Sequence, residues 1–413
     1  MKVIDLFAGA GGLSEGFRQA GFDILAHVEM DKHAAITLKT REAYYYLKKH
    51  GNLTKYKEYL QGEITREELY ETIPNEVLNT VINQEITDDT IEGIFTEIDL
   101  LIENQTVDMI IGGPPCQAYS LAGRSRDPRR MEEDPRNFLY RQYIRFLNKY
   151  NPKMFLFENV MGILSAQNGT IFENIRVEME EAGYRMDYRI LNSKDFGVLQ
   201  SRKRVIIIGW KTEFDFDYPE FTLESTQATI KDLFSDLPKL KAGELHKTFD
   251  YYREVSNEYM YKSQIRVGNW DILTQHNARP HREQDLQIYK HCVRTWNDER
   301  RKVKYNELPE ELITHKNTNT FLDRFNVISY DGISHTIVAH IAKDGHYYIH
   351  PDIEQNRSIT VREAARIQSF PDTYYFESNR TSAFKQIGNA VPPLMARKIA
   401  DRLLEINKRD SIL

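Results

Sequence analysis

The chain opens on the run Lys2-Val-Ile-Asp-Leu-Phe7, which breaks into Ala8-Gly9-Ala10-Gly11-Gly12 and then into a helical pattern through Ala20. An apolar strand ending in a glycine-rich turn and a helix is the opening unit of an open α/β sheet. The same rhythm continues downstream. Asp23 to Val28 reads as a second strand, closed by Glu29-Met30-Asp31 ahead of another helix. Further strands are expected at Val107–Ile111, Lys153–Phe157, Tyr184–Leu191 and Val205–Ile208, with helices near 136–150 and 171–182. Strands alternating with helices of about ten residues or more point to a doubly wound, mostly parallel, Rossmann-like sheet.

Two stretches depart from that rhythm. Residues 40–95 are rich in Tyr, Lys and Glu and read as helical hairpins inserted between strands, with packing against the sheet as the plain expectation for them. Beyond Lys211 the pattern fades into a segment of Tyr, His, Asn and charges with no strong helix signal, before α/β character returns with helices near 361–368 and from Pro392-Pro393 to about Asn407. The expected organisation is a catalytic and cofactor-binding domain over 1–210, a smaller irregular domain over 211–324, and a return to the first domain over 325–413. Length and a hydrophobic content of 41% suffice for both cores. No apolar stretch reaches the about 18 residues needed to span a bilayer, and two cysteines suit a reducing compartment, so a soluble cytoplasmic protein is expected. The net charge of −6 argues against indiscriminate coating by nucleic acid but leaves room for a local basic cleft.

The chemistry concentrates at predicted strand ends. Cys116 follows Gly112-Gly113-Pro114-Pro115, a rigid turn that holds a thiol at the carboxyl edge of the sheet, where open α/β proteins place ligands. Glu158 ends another apolar strand at the same edge. Arg202 and Arg204 alternate ahead of a third, in phase to share one side. Glu29, about twenty residues after the glycines, is placed to bind ribose hydroxyls, with a helix-capping acid as the lesser alternative. Arg124, Arg126, Arg129, Arg130 and Arg136 follow the thiol; each is a candidate phosphate ligand or an ordinary solvated charge.

The strings Asp5-Leu-Phe-Ala-Gly-Ala-Gly-Gly12, Gly113-Pro-Pro-Cys-Gln117, Glu158-Asn-Val160, Gln200-x-Arg202-x-Arg204, Arg362-Glu-Ala-Ala-Arg-Ile-Gln-Ser-Phe-Pro371 and Gly388-Asn-Ala-Val-Pro392 resemble those of the DNA (cytosine-5) methyltransferases, in the family's order and over both ends of the chain. The bacterial restriction–modification type fits best. The resemblance implies an S-adenosylmethionine methyltransferase sheet, and it puts residues 211–324 where that family keeps its target-recognition domain.

By this resemblance Cys116 is the nucleophile that adds to carbon 6 of a cytosine flipped out of double-stranded DNA. Glu158 protonates ring nitrogen 3, Arg204 contacts the base carbonyl, and Arg202 supports the same pocket. S-adenosylmethionine would lie against Phe7, Gly9, Ala10, Gly11 and Gly12, with Glu29 on the ribose and Met30 on adenine. Asp99 would accept from the adenine amine with Leu100 beside it, Pro115 and Leu139 would line the pocket, and Asn389 and Val391 would close it. Gln117, Ser120, Arg124 and Arg126 would meet DNA. In the recognition segment Arg266, His276, Arg279, His281, Arg282, Arg294, Arg300 and Arg301 are candidates for phosphate or base contacts. No metal is implied, a monomer suffices, and a nucleoid-associated bacterial enzyme with a cognate restriction endonuclease is expected.

Other readings compete. The tRNA-acting relatives on this scaffold carry Cys-Phe-Thr in the recognition region, whereas Cys292 is followed by Val293 and Arg294. Amino-group DNA methyltransferases carry Asp/Asn-Pro-Pro-aromatic rather than Pro-Pro-Cys. A non-catalytic DNA-binding relative would have no need of Cys116, Glu158 and Arg204 together. An NAD-dependent oxidoreductase would account for the glycine turn but not for Pro-Pro-Cys.

Overall fold

The computed structural model describes residues 1–103, 105–114, 139–224, 226–251, 257–313, 319–320 and 322–410. Its amino-terminal run forms β1 (Lys2–Leu6), whose Val3, Ile4 and Leu6 are fully buried, and the glycine turn leads into α1 (Gly12–Gln19). β2 (Asp23–Val28) follows, then α2 (Lys32–Lys49), capped by the Asp31 side chain on the His33 and Ala34 amides. After α3 (Leu53–Leu60), α4 (Arg66–Glu71) and α5 (Asn75–Asn79) comes a two-residue strand, β3 (Val81–Ile82), then α6 (Ile91–Ile102) and β4 (Met109–Gly112). The series continues with α7 (Leu139–Tyr150), β5 (Met154–Asn159), α8 (Thr170–Glu181), β6 (Tyr184–Asn192) and β7 (Lys203–Lys211).

The strands lie in the order β3-β2-β1-β4-β5-β7-β6. The first five are mutually parallel, and β7 runs antiparallel to both β5 and β6. The order reverses between β1 and β4, so the crevice of a doubly wound sheet opens at their carboxyl ends. Side chains on opposite strand faces build separate cores. Ile4, Leu6, Ile110 and Phe157 pack with α6, α7 and α8; Val3, Ile111, Leu156 and Ile208 pack with α1 and the carboxyl-terminal helix. The expected α/β sheet is therefore present.

The remainder contains α9 (Ile230–Leu233), α10 (Glu258–Lys262), α11 (Glu283–Glu299), α12 (Val361–Ile367), α13 (Arg380–Asn389) and α14 (Pro393–Asp410). One core joins Ile230, Leu233, Ile265 and Leu273 to Ile337, Ala364, Phe370 and Ile387, so the segments before and after residue 324 share an interior. A second cluster surrounds α11.

Three local readings need correction. Residues 40–95 include the end of α2 and the edge strand β3 as well as short helices; two residues of strand are too few to show a period. The inserted helices also do not lie on the sheet. Tyr44, Tyr56, Leu60 and Leu69 pack on Trp270 and Ile272 from the later segment. Thirdly, 211–324 does hold a regular helix, α11, whose inward residues Ile288, Tyr289, Cys292 and Val293 recur at helical spacing within a polar, histidine-rich sequence.

Candidate active site

At the carboxyl edge of β5, Glu158 Oε1 meets Arg204 Nε of β7 at 2.7 Å, with the two side chains 15% and 14% exposed. The antiparallel register pairs Glu158 with Ile206 and Asn159 with Val205, which brings Arg204 one step beyond the last pair and over the carboxylate. Arg204 Nη1 also donates to the Lys203 carbonyl at 2.8 Å, fixing the plane of the guanidinium. Neighbouring β4 delivers its exit to the same spot. A Cβ on Gly113 would lie 2.5 Å from the Glu158 carbonyl oxygen and 2.8 Å from Oε2, so only glycine passes there without displacing the acid. Asn159 Nδ2 donates to the Pro114 carbonyl at 3.2 Å and ties the two strand ends together. Asn159 was missed as a site residue; its signal was its place beside Glu158. Pro115, Cys116, Gln117, Ser120, Arg124 and Arg126 lie outside the described residues.

Arg202 does not join this pair. It is 1% exposed, and its guanidinium donates to the carbonyls of Ile337 at 2.7 Å and Gly388 at 3.1 Å. The expectation that it shares a pocket with Arg204 is corrected: Arg202 precedes the first residue of β7, so strand alternation does not govern its direction. Gln200 and Gln368 belong to the same internal web, joined by an amide hydrogen bond of 2.8 Å. Within the Arg362–Pro371 string, Arg366 clamps Asp236 and Asp372, and Glu363 pairs with Arg357, all buried. Arg357 and its hydrogen bonds hold the Glu363 carboxyl far below the usual range against the opposing effect of burial.

A second set gathers at the ends of β1 and β2. Phe7 adopts a positive φ of 54°, and the amide of Gly9 donates to Glu29 Oε2 at 2.7 Å. Glu29 Oε1 accepts from the Asp31 amide at 2.7 Å, and burial raises the Glu29 pKa against those two hydrogen bonds. Beside this carboxylate, Met30 is 54% exposed, an unusual state for a thioether next to buried backbone. A Cβ on Gly12 would sit 2.2 Å from the Val391 carbonyl oxygen and 3.0 Å from the Ala390 Cβ, so the chain after α13 returns against the glycine turn just beyond Asn389. Leu139 opens α7 at the same sheet edge.

Asp99 and Leu100 are not brought there. α6 must run from the carboxyl edge of β3 back to the amino edge of β4, and both residues lie in its last turns. Asp99 pairs with Lys149 at 2.7 Å near the end of α7, and Leu100 is 75% exposed. The residue after β3 that does reach the pocket floor is Asn83, whose Nδ2 donates to the carbonyls of Glu29 and Met30. Most of α6 separates Asn83 from Asp99 and carries the acid to the opposite edge of the sheet.

Several proposed DNA contacts are internal instead. His276 bonds Thr360 and the Pro238 carbonyl, and burial lowers its pKa to about 4. His281 bonds Ser358, and burial takes it to about 3. Arg266 pairs with Asp236 and stacks on Tyr251, while Arg279 donates to the Ile341 and Ala342 carbonyls. Arg300 and Arg301 hold surface carboxylates, and Arg282 and Arg294 are exposed. Among the described residues there is no cluster suited to a metal ion, and no helix is long and apolar enough to cross a membrane.

Comparison with known proteins agrees with this geometry. The family described as C-5 cytosine-specific DNA methylase matches residues 1–66 and 63–405. The Type II methyltransferase M.Bpa9945I of Bacillus paralicheniformis is 43% identical, covering 98% of this chain and 99% of that one. M.DdeI, a Type II methyltransferase of Desulfomicrobium norvegicum, is 33% identical over 98% of this chain and 88% of its own. In fold, the chain is similar to a crystal structure described as a prophage-encoded DNA modification methyltransferase of E. coli, with a TM-score of 0.63 at 24% identity over 99% of both chains. With the acid and guanidinium of β5 and β7 set against the exit of β4, the chain belongs to the C-5 cytosine-specific DNA methylase family and is a DNA cytosine-5 methyltransferase.

Proposed function

We propose that this methyltransferase transfers the methyl group of S-adenosylmethionine to carbon 5 of a cytosine flipped out of one double-stranded sequence, through a covalent adduct with Cys116. The observation that carries the reading is the Glu158–Arg204 pair pressed against Gly113, three residues before the thiol.

Carbon 5 of cytosine is a weak nucleophile. Addition of the Cys116 thiolate to carbon 6 opens the 5,6 double bond and pushes its electrons toward carbon 5. Glu158 delivers a proton to ring nitrogen 3 as charge builds, and Arg204 holds both the carboxyl group and the base carbonyl. After methylation the proton on carbon 5 leaves to a base, the double bond re-forms, Cys116 departs as thiolate, and ring nitrogen 3 returns its proton to Glu158. Stacked within a duplex, carbon 6 is out of reach of a side chain, hence the extruded base.

The residues at the other strand ends suit the cofactor. The Glu29 oxygens each keep a lone pair free for a ribose hydroxyl, Met30 offers an exposed apolar face for adenine, and nothing stands within 4 Å of the position a Gly9 Cβ would take. Bound there, S-adenosylmethionine supplies an electrophilic methyl on its sulfonium. Phe7, Ala10, Gly11 and Gly12 line the turn and Leu139 flanks it, while Pro115, Asn389 and Val391 are proposed to complete the pocket. Gln117, Ser120, Arg124 and Arg126 are proposed to contact DNA, with 211–324 as the target-recognition segment between catalytic parts 1–210 and 325–413. The proposed role is protection of host DNA from a cognate restriction endonuclease by a monomeric, cytoplasmic enzyme.

Nucleoside mass spectrometry and bisulfite sequencing of DNA from a host expressing the protein test this. The expected result is 5-methylcytosine confined to one sequence context and absent with Cys116→Ser. Appearance of N4-methylcytosine or N6-methyladenine instead would overturn it.

A further inference from the structure

Beneath the glycine turn lies a closed set of charges that the methyl-transfer steps leave unused. His27 of β2 is 2% exposed, with Nδ1 3.2 Å from Asp5 Oδ2 of β1 and Nε2 3.2 Å from Glu42 Oε1 of α2. Arg18 of α1 grips Glu42 through two hydrogen bonds of 2.7 and 2.9 Å. Next to it, Arg41 of α2 donates to both oxygens of Glu15 of α1, at 2.9 and 2.7 Å, and to the Thr373 carbonyl. Tyr45 donates to Glu15, and Tyr374, lying under the Arg41 guanidinium, donates to the carbonyl of Ala10.

This group reaches every part of the cradle. Asp5 stands two residues before Phe7, His27 two residues before Glu29, Glu15 and Arg18 follow the turn, and Tyr374 holds its middle. Three carboxylates, Asp5, Glu15 and Glu42, face two guanidiniums, Arg18 and Arg41. The set is neutral only when His27 is an imidazolium. Its ring contacts demand the same state, because a neutral imidazole would turn one lone pair directly at a carboxylate oxygen. Burial opposes the charge, yet the hydrogen bonds and attraction of Asp5 and Glu42 outweigh it and raise the His27 pKa.

We propose that His27 is a positioning residue whose proton keeps the glycine turn and Glu29 in their binding shape, so that cofactor affinity depends on the charge of His27. The proposal rests on the cofactor reading above. A raised folded pKa means the proton's contribution is fully present below the unfolded value of about 6.5 and is lost as pH rises through the folded one. If only the charged form binds, affinity falls about tenfold per pH unit on the alkaline side, and binding there takes up a proton. Burial raises the Glu29 pKa as well, and it raises the phenols of Tyr45 and Tyr374 out of the working range.

Titration calorimetry of S-adenosylmethionine against the full chain, from pH 6 to 9.5 and in buffers of different ionisation enthalpy, reads this effect. The cofactor's own amine titrates in every variant, so the difference from His27→Gln isolates the histidine. Wild type should lose affinity on the alkaline limb with proton uptake, and His27→Gln should bind more weakly with that limb removed. Glu42→Gln leaves two carboxylates against two guanidiniums, so its limb should move to lower pH, which keeps the test alive if His27→Gln fails to fold. Separately, 15N spectra of labelled histidine should show both His27 nitrogens protonated at pH 7 without cofactor. A neutral His27, or identical profiles for all three proteins, overturns the proposal. A charged His27 in a wild type that binds no S-adenosylmethionine would instead remove the cofactor reading and this inference with it.

Discussion

Replacing Gly113 by alanine tests the packing of the site at a single methyl group. The added Cβ would lie 2.5 Å from the Glu158 carbonyl oxygen and 2.8 Å from Oε2, short of ordinary contact at 3.4 Å by about 0.9 and 0.6 Å. β5 cannot yield, because it is hydrogen-bonded between β4 and β7. The strain is therefore relieved by retreat of the β4 exit, which carries Cys116, or by rotation of the Glu158 carboxylate off Arg204. A misplacement approaching 1 Å costs about a hundredfold in rate, and we expect a loss of about 30- to 100-fold for Gly113→Ala, equivalent to about 2–3 kcal/mol in the barrier. The assay is single-turnover methyl transfer at saturating DNA and cofactor, with melting temperature followed in parallel. Gly93→Ala in α6, where an added Cβ meets nothing within 4 Å, serves as the neutral control. A Gly113→Ala protein within about threefold of wild type would refute the claim that this turn and Glu158 are mutually fitted.

Glu158→Gln keeps the shape and removes the proton source, so single-turnover rate should fall by about 10²- to 10⁴-fold with cofactor affinity unchanged. Arg202→Met leaves two buried carbonyls without a donor and should lower the melting temperature, by about 2–4 kcal/mol in stability, more than it slows the surviving folded fraction. Asp99→Asn should leave the dissociation constant for S-adenosylmethionine within about twofold, since its partner is Lys149 at the far edge of the sheet. Burial pushes the Cys292 thiol up to about 12, so it should resist maleimide at pH 8 in the folded protein, and Cys292→Ser should retain methyl transfer.

The sheet was legible because its central strands are fully buried and therefore written as apolar runs: Val3 to Leu6, interrupted only by the buried Asp5, then Met109 to Ile111, Met154 to Phe157 and Val205 to Ile208. β3 was not, since a short edge strand lacks room for a period. Glu158 and Arg204 could be read from their places at strand ends, where backbone geometry dictates direction. Arg202 and Asp99 could not. One lies before its strand, the other follows an insertion that moved the acid away from its usual spacing, and in both cases tertiary contacts alone decide where the side chain goes. The buried histidines and arginines after residue 260 misled for a related reason: a cation paired inside a core and a cation waiting for phosphate look alike in sequence.

The central claim is that Cys116 is the atom that attacks the base. Duplex DNA carrying 5-fluorocytosine at the methylated position blocks loss of the group on carbon 5, so the adduct should accumulate when S-adenosylmethionine is present. Digestion and mass spectrometry of the trapped complex should then find the nucleotide on the peptide containing Cys116 and none on that containing Cys292. A trapped complex bonded through any other residue, or turnover undiminished in Cys116→Ser, would contradict the account.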